Sequence, residues 1–295
     1  MVIDPKTIST ADLHGYLLSA VAPRPIAFVS TMSPEGVPNL APFSFFNAFS
    51  SNPPLVVFSA NRRVRNNTTK DTLHNVTTTR EAVVSVVSYD IVRQAAIAGI
   101  EYPAETSEYE KAGLTPLPSD LVKPYRVAES PVQMECLVRD IISLGEHGGA
   151  GNLILCEVIR MHINDAVLDE RGKIDQNKID LVGRMGKVFY SRASGDALFS
   201  LPQPAEVLAI GFDALPRTLR HSHVFTGNDL ARFAGLAAVP TLTTDEHAAL
   251  LAHTDVQAAA AASDRVAALH TLARTTLHAG NIAAAWAVAM LAEQL

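Results

Sequence analysis

One twelve-residue stretch combines four phenylalanines with asparagine and serine: Asn39-Leu40-Ala41-Pro42-Phe43-Ser44-Phe45-Phe46-Asn47-Ala48-Phe49-Ser50. A strand that serves only as part of a hydrophobic core does not need this mixture of aromatic and polar residues. A wall that holds a flat apolar ring needs apolar faces for the ring and hydrogen-bonding groups for its polar edges. The stretch therefore predicts part of a sheet and, at the same time, one side of a ligand pocket.

The segments around this stretch have the pattern of β-strands. Residues 25–31 read as one strand, and the turn Ser33-Pro34-Glu35-Gly36 returns the chain along residues 37–46 as a hairpin. Further strands are predicted at 55–59, 82–88, 131–144 and 152–164, with a glycine-rich connection at 145–151. Because strands dominate residues 25–165, the predicted fold is mainly β, a closed antiparallel β-barrel with short helices.

Helices are predicted at two places within the strand-rich part. One begins after Thr69 as its N-cap, with Asp71 in the first turn, and a second covers residues 89–99. Residues 1–23 read as a polar entry segment, and residues 101–125, rich in Pro, Glu, Ser and Gly, as a long excursion over the surface.

The composition changes after about residue 200. Of the 50 residues from 246 to 295, 18 are alanine, and two helices are predicted at 264–278 and 281–295, separated at Gly280. We therefore expect two domains, a barrel over residues 1–200 and an Ala-rich α-helical C-terminal extension over residues 201–295. A helical cap or a dimerisation element is the expected role of the extension.

Composition excludes several classes of protein. The chain has 295 residues and a net charge of −6, and its local arginine cluster is limited to Arg62, Arg63 and Arg65, which argues against a nucleic-acid surface. No apolar run reaches the roughly 18 residues of a membrane span. No secretory signal precedes the barrel, and Cys136 and Cys156 read as buried small hydrophobes, so a cytoplasmic protein with reduced thiols is expected.

Motifs for metal or nucleophilic chemistry are absent from the sequence. The pair His221 and His223 has no evident carboxylate or cysteine partner, so no metal site is predicted. No G-x-S-x-G motif is present, and neither cysteine has the electropositive neighbours of a nucleophile. The sequence therefore assigns no catalytic residue.

Three segments are candidates for one phosphorylated aromatic ligand. Residues 22–25 place Arg24 immediately before a strand, residues 42–47 offer aromatic walls with polar groups, and residues 59–72 offer hydroxyls, Arg62 and Lys70 at a helix start. A helix N-terminus beside a lysine suits a phosphate because unpaired N–H groups and positive charge meet there. The alternatives remain open for each: solvated surface charges for Arg24 and Lys70, and ordinary barrel core for Phe43, Phe45, Phe46 and Phe49.

The same segments carry a resemblance to a known family. They read Ala22-Pro23-Arg24-Pro25-Ile26-Ala27-Phe28-Val29-Ser30-Thr31, then Asn39-Leu40-Ala41-Pro42-Phe43-Ser44-Phe45-Phe46-Asn47, then Lys70-Asp71-Thr72-Leu73. In this order they resemble the flavin reductase-like, FMN-binding split-barrel family, in the branch of flavoredoxin and the reductase components of two-component monooxygenases. The resemblance covers roughly residues 10–195 and includes Gly183-Arg184-Met185-Gly186. It implies a six-stranded Greek-key split barrel, a homodimer, and FMN near the subunit interface.

The resemblance also implies a set of cofactor-binding residues. Arg24 and Pro25 would flank the flavin, and Pro42, Ser44, Phe45 and Asn47 would line or bond its ring and ribityl chain. The phosphate end would be formed by Ser59, Arg62, Lys70, Asp71 and Thr72, and Arg184 would close the pocket. His147 in the glycine-rich loop is a candidate for contact with nicotinamide or the partner subunit, or it is an exposed loop imidazole.

The implied activity is that of an NAD(P)H-dependent flavin reductase. NADH or NADPH would be a transient co-substrate that reduces FMN, and the reduced flavin would pass to an acceptor, with an oxygenase as a possible partner. One alternative is a flavoredoxin-like electron carrier or flavin sensor without NAD(P)H activity. Another is an interaction protein that acts through its Ala-rich tail, because fold alone does not give function.

Overall fold

The predicted hairpin lies within a seven-stranded antiparallel sheet whose order is β2-β1-β5-β8-β9-β4-β3. The computed structural model describes residues 1–103, 105–201 and 208–294. Two small two-stranded sheets, β6-β7 and β10-β11, accompany the large one. The strands are β1 Ala27–Met32, β2 Pro38–Phe43, β3 Phe46–Ser51, β4 Pro54–Ser59, β5 Glu81–Val86, β6 Pro116–Leu117, β7 Arg126–Val127, β8 Val132–Ser143, β9 Asn152–Ile163, β10 Leu181–Arg184 and β11 Tyr190–Ala193.

The two edges of the large sheet belong to one continuous piece of chain. β2 and β3 lie at opposite edges, yet only Ser44 and Phe45 separate them. The carbonyl of Phe45 accepts a hydrogen bond from the Ser59 N–H (2.8 Å). The sheet therefore closes on itself as the predicted barrel. Seven strands replace the six implied by the resemblance because this bend divides one strand into two.

Strands β1 and β5 of the large sheet are buried on both faces. Ala27 and Val29 of β1 point into the barrel core, whereas Phe28 packs in a second, outer core. Helix α2 contributes Val76 to the inner core, and α3 and α4 cover the outer one. The helices of this part are α1 Thr10–Ala20, α2 Asp71–Thr79, α3 Val92–Ala98, α4 Glu108–Ala112 and α5 Gln176–Ile179.

Three local predictions need correction. The polar entry segment contains α1, which sequence patterning misses because none of its residues is buried. The N-cap of α2 is Lys70, one residue later than Thr69, and it makes no side-chain cap hydrogen bond. Residues 101–125 are more than a surface excursion, because Tyr109 is 2% exposed and anchors the outer core, with its hydroxyl donating to the Tyr125 carbonyl (3.0 Å).

The chain divides into two compact units, Met1–Phe199 and Ser200–Leu295. The second unit is helical and has its own core, in which Phe233 packs edge-on against Phe225 and Trp286. Its helices are α6 Arg217–Arg220, α7 Gly227–Ala234, α8 Thr244–Ala252, α9 Thr254–Ala260, α10 Arg265–His278 and α11 Ile282–Leu291. The two predicted tail helices correspond to α10 and α11, and Leu295 lies outside the described residues. Within the described ranges, no helix is long and apolar enough to cross a membrane.

A buried carboxylate ties two helices of the second unit together. Asp229, in the first turn of α7, accepts hydrogen bonds from the Thr226 N–H (2.9 Å), from Arg274 Nε (2.9 Å) and from His278 Nε2 (2.6 Å). Burial alone would raise the pKa of Asp229, but the hydrogen bonds from His278 and Thr226 and the charge of Arg274 outweigh it and hold the pKa well below its usual 3.8.

We expect the variant Asp229→Asn to lower the free energy of unfolding by about 1–3 kcal/mol, since the charged hydrogen bonds are lost while their partners are partly exposed. A carboxyl with a lowered pKa stabilises the fold above its unfolded pKa and stops doing so as the pH falls. The difference from the parent protein should therefore be full at about pH 5 and shrink below pH 3.8. Urea denaturation followed by circular dichroism measures both.

The matched control is Glu246→Gln in the capping box of α8, where the Glu246 carboxylate accepts from Thr243 and has no recorded cationic partner within the described chain. Because glutamine also fits a capping box, this change should cost less than about 0.5 kcal/mol. Equal losses for the two variants would contradict a special role for the Asp229 ion pairs.

Candidate functional site

Arg24 lies just before β1 and is 5% exposed. Its guanidinium donates to the carbonyls of Val21 (2.6 Å) and Leu18 (2.5 Å) at the end of α1, to the Met185 carbonyl (3.0 Å), and to Ser44 Oγ (3.4 Å). A guanidinium has five N–H donors in a rigid plane, so one arginine can join three segments in this way. The structure therefore gives Arg24 a positioning role beside the bend at Ser44.

Arg184 reaches the same place through its backbone. Arg24 and Arg184 exchange two backbone hydrogen bonds (3.0 and 2.8 Å), which attach the β10-β11 hairpin to the entrance of β1. The Arg184 guanidinium donates to the Lys187 carbonyl (2.7 Å) and lies 4.5 Å from the centre of the Tyr190 ring. Burial, followed by the charge of Arg184, lowers the pKa of Arg24.

The bend presents an aromatic and polar surface on the outside of the barrel. Phe45 is 38% exposed, and its ring lies 6.1 Å from that of His14 on α1. Asn47 is exposed and accepts from the Ala48 N–H through Oδ1 (2.8 Å). Pro25 is also exposed. Phe49, considered as possible core, is 70% exposed, so this face is apolar without being buried.

Phe43, Phe46 and Pro42 have packing roles. Phe43 and Phe46 lie inside the barrel, where the Phe43 and Phe58 rings are 5.1 Å apart. Pro42 packs closely on Gly99 at the end of α3, since a Cβ at that glycine would come 3.1 Å from Pro42 Cγ. The bend thus separates inward phenylalanines from the outward Phe45.

Ser59 and Arg62 are brought against the glycine-rich loop. The Arg62 N–H donates to the Ala150 carbonyl (2.9 Å), and the Gly149 N–H donates to the Arg62 carbonyl (3.0 Å). A Cβ at Gly151 would lie only 2.9 Å from Ser59 Oγ, so this close approach requires glycine. The Arg62 guanidinium is occupied by Asn67 (2.7 and 2.8 Å). His147 in the same loop is exposed.

Lys70 lies in a separate cleft, the lysine cleft, at the N-terminus of α2. Its ammonium is 4.8 Å from the centre of the Phe43 ring. Burial, followed by the charge of Arg63, lowers its pKa. Within the described chain no carboxylate is recorded within 4.0 Å of Lys70 Nζ. The cleft is lined by Asn39, Ala41, Arg63, Lys70, Asp71, Thr72, Ala98, Gly99, Ile100, Glu101, Tyr102 and Glu108.

The two arginines near Lys70 are already paired with Glu101. Arg63 Nε lies 2.7 Å from Glu101 Oε1, and Arg65 pairs with the other oxygen of Glu101. Thr72 is buried and accepts from Asn39 Nδ2 (3.0 Å), while Asp71 is exposed in the first turn of α2. Lys70 is therefore a half-buried cation beside a helix N-terminus, which is the arrangement that suits an anionic group.

The predicted residues thus form two groups. Arg24 is hydrogen-bonded to Ser44 and to Arg184, with Phe45 next to Ser44 in the bend, whereas Lys70, Asp71 and Thr72 line the lysine cleft. Ser59 and Arg62 lie on the chain between them. Sequence reasoning missed Asn39 and Arg63 in the cleft. Strand alternation could have placed Asn39 on the inward face, because it lies two residues before Ala41 and four before Phe43, which both point inward. For Arg63, the sequence offers no signal other than its place in the cluster of Arg62, Arg63 and Arg65.

Three potential metal ligands meet elsewhere in the first unit. Single ligand atoms of Asp120, Glu135 and His162 lie within 4.8 Å of one another. Glu135 accepts from the Asp120 and Leu121 N–H groups (3.0 and 2.6 Å) and lies 2.6 Å from His162 Nε2, while Asp120 pairs with Arg160 (2.6 Å). Burial would raise the pKa of Glu135, but these hydrogen bonds lower it. The cluster fastens a loop to β8 and β9.

Residues 19–178 match the model of the family described as flavin reductase like domain. A protein of Aquifex aeolicus is 39% identical over 184 residues, which are 62% of this chain and 91% of that protein. The chain therefore belongs to the flavin reductase-like family, and its fold is the split barrel of that family.

Two solved structures are similar over most of their own length. Nitrilotriacetate monooxygenase component B from Bacillus cereus is 30% identical with a TM-score of 0.63, over 68% of this chain and 98% of that one. The 2-nitrobenzoate 2-nitroreductase NbaA of Pseudomonas fluorescens is 26% identical with a TM-score of 0.60, over 68% and 96%. Family and relatives identify a flavin-related oxidoreductase, and the family match ends at residue 178, before the helical second unit.

The role of Arg24 is open to measurement. We expect Arg24→Lys to lower the free energy of unfolding by about 1.5–3 kcal/mol, since one ammonium replaces a guanidinium that bonds three carbonyls. Arg171→Lys, on an exposed turn, is the control and should change it by less than about 0.5 kcal/mol. Chemical denaturation measures both, and an unchanged stability of Arg24→Lys would contradict the positioning role.

Proposed function

We propose that the protein binds FMN and reduces it with NADH or NADPH as a transient co-substrate. The observation that carries this proposal is the half-buried Lys70 at the start of α2, on the same barrel as the aromatic bend at Phe45. Among the described residues, no carboxylate lies within 4.0 Å of its ammonium. A phosphorylated flavin combines an anion with a flat ring, and the two groups of residues match these two parts. Bound FMN would supply the redox chemistry, as the acceptor of a hydride from NADH or NADPH.

The phosphate end is assigned to the lysine cleft and the chain that precedes it. Lys70 supplies the charge, and the first N–H groups of α2, near Asp71 and Thr72, supply donors without intrahelical acceptors. Ser59 and Arg62 contribute through the loop that they form with residues 149–151, since the Arg62 side chain itself is occupied by Asn67. The lowered pKa of Lys70 is a cost of burial that a bound dianion would offset.

The ring end is assigned to the bend. Phe45 and Pro42 supply apolar surface, and Ser44 and Asn47 supply hydrogen-bonding groups for the ring edge and ribityl chain. Arg24, Pro25 and Arg184 frame this end, with Arg24 acting by holding the bend in place. These residues bind, orient and exclude water, which is the protein's share of catalysis in a flavin reaction.

A second copy and an acceptor complete the proposal. Exposed apolar residues include Phe49 (70%), Leu144 (61%), Val188 (79%) and Phe189 (65%), and a homodimer would cover such a surface. The similarity to a monooxygenase component supports an oxygenase as the consumer of reduced flavin.

We further propose a cytoplasmic location, consistent with two buried free thiols. We also propose residues 201–295 as a separate helical domain that acts as a cap or dimerisation element.

The decisive experiment is the absorbance spectrum of the purified protein with added FMN, before and after NADH or NADPH. We expect oxidation of at least one nucleotide, followed at about 340 nm, with bleaching of the flavin. No oxidation above background with either nucleotide rejects the reductase. Flavin that dithionite reduces but NAD(P)H does not would identify an electron carrier or sensor instead.

The assignment of the phosphate end has a separate test. Lys70→Ala should weaken FMN binding at least about tenfold, because a charged hydrogen-bond partner worth about 1.5–3 kcal/mol is lost, while riboflavin affinity changes little. Lys173→Ala, on an exposed turn, is the control and should change neither affinity. Fluorescence titration of both flavins measures the effect. Equal losses for FMN and riboflavin in Lys70→Ala would mean that the phosphate lies elsewhere.

A further inference from the structure

A second concave site lies on the first unit between α3 and the β10-β11 hairpin. We call it the tyrosine pocket. Its volume is about 280 Å³, just below the roughly 300–1,000 Å³ of typical small-molecule sites. It is lined by Tyr89, Val92, Arg93, Ala96, Val182, Tyr190, Ser191 and Arg192, none of which belongs to the lysine cleft or the bend.

One guanidinium of the pocket is fixed and neutralised. Arg192 forms a two-pronged ion pair with Asp180, with Nε 2.8 Å from Oδ1 and Nη2 2.6 Å from Oδ2. Its guanidinium lies 3.9 Å from the centre of the Tyr89 ring. Because Asp180 balances its charge, Arg192 offers the pocket a flat surface stacked on an aromatic ring rather than a free cation.

The two tyrosines provide the aromatic walls. Tyr89 is 46% exposed and Tyr190 is 44% exposed, so each ring has surface left to contact a ligand. Each ring also has a guanidinium against it, Arg192 on Tyr89 and Arg184 on Tyr190, which restricts its movement. Such restrained rings lose little conformational entropy when a flat group packs on them.

Arg93 supplies the charge of the pocket. It projects from α3, is exposed, and has no hydrogen bond, ion pair or ring contact recorded with any part of the chain that the structure describes. Its guanidinium is thus uncompensated at the rim of an aromatic, otherwise neutral cavity. A flat apolar group with a single anionic substituent complements this combination.

We propose that the tyrosine pocket binds a planar aromatic ring that carries one anionic group, with the ring against Tyr89 and Tyr190 and the anion on Arg93. The site is additional to the proposed flavin site and does not depend on flavin chemistry. Arg184 touches Tyr190 and bridges to Arg24, so the pocket adjoins the frame of the bend. A carboxylate and a nucleotide phosphate are two sources of the same chemistry.

The test uses the full chain without flavin and isothermal titration with matched probes. Benzoate and its neutral analogue benzamide represent the carboxylate source, and AMP and adenosine represent the nucleotide source. We expect at least one anion to bind at least about tenfold more tightly than its neutral analogue, since only the anion engages the guanidinium. Whichever anion binds more tightly identifies the source.

Two variants connect the binding to the pocket. Arg93→Ala should weaken the anion at least about tenfold and leave the neutral analogue unchanged, whereas Arg171→Ala, at an exposed turn, should change neither. Tyr190→Ala should weaken both members of the pair. Absence of binding by both anions, or anion binding that Arg93→Ala leaves intact, overturns the proposal. Because no flavin is present, this outcome is independent of the flavin and nucleotide experiments.

Discussion

The first unit depends on a bend of two residues that carries the chain from one edge of its sheet to the other. Regular alternation from the inward Phe43 would point Phe45 inward and Phe46 outward, but the structure does the reverse. Ser44 and Phe45 break the alternation, so both β2 and β3 present phenylalanine to the core while Phe45 faces outward. Closure of the barrel and exposure of an aromatic surface are thus two results of the same irregularity.

The strands were predictable because their signal is local. Runs of β-branched residues at 82–88 and the turn at 33–36 lie within the segments that they specify. Strands β1 and β5 are buried on both faces, so they read as apolar runs. Helix α1 was not predictable from an apolar stripe, because it buries no residue. Its start was encoded only by the cap in which Ser9 Oγ accepts from the Asp12 N–H.

In the second unit, too, the elements with a strong local sequence pattern were predicted and the others were missed. The long helices α10 and α11 follow from alanine content and the break at Gly280, whereas the shorter helices before them were missed. Two of these begin with capping boxes, Thr226 with Asp229 and Thr243 with Glu246, which are local signals of a helix start. The convergence of Arg274 and His278 on Asp229 spans more than forty residues, and no local pattern encodes it.

The site was predictable in its residue types and only partly in their roles, because the sequence does not show which cations are already occupied. Arg24 reaches a carbonyl 161 residues away, and Arg62 and Arg63 are bound by Asn67 and Glu101. A guanidinium has five donors in a rigid plane and suits such bridges between segments, whereas an ammonium is a compact charge on a flexible stem. The chain uses its buried arginine to hold the bend and leaves Lys70 without a carboxylate partner among the described residues. These different roles of arginine and lysine follow from the geometry of their donors. As a result, Lys70 is the cation available to an anionic ligand, although arginines are more numerous near it.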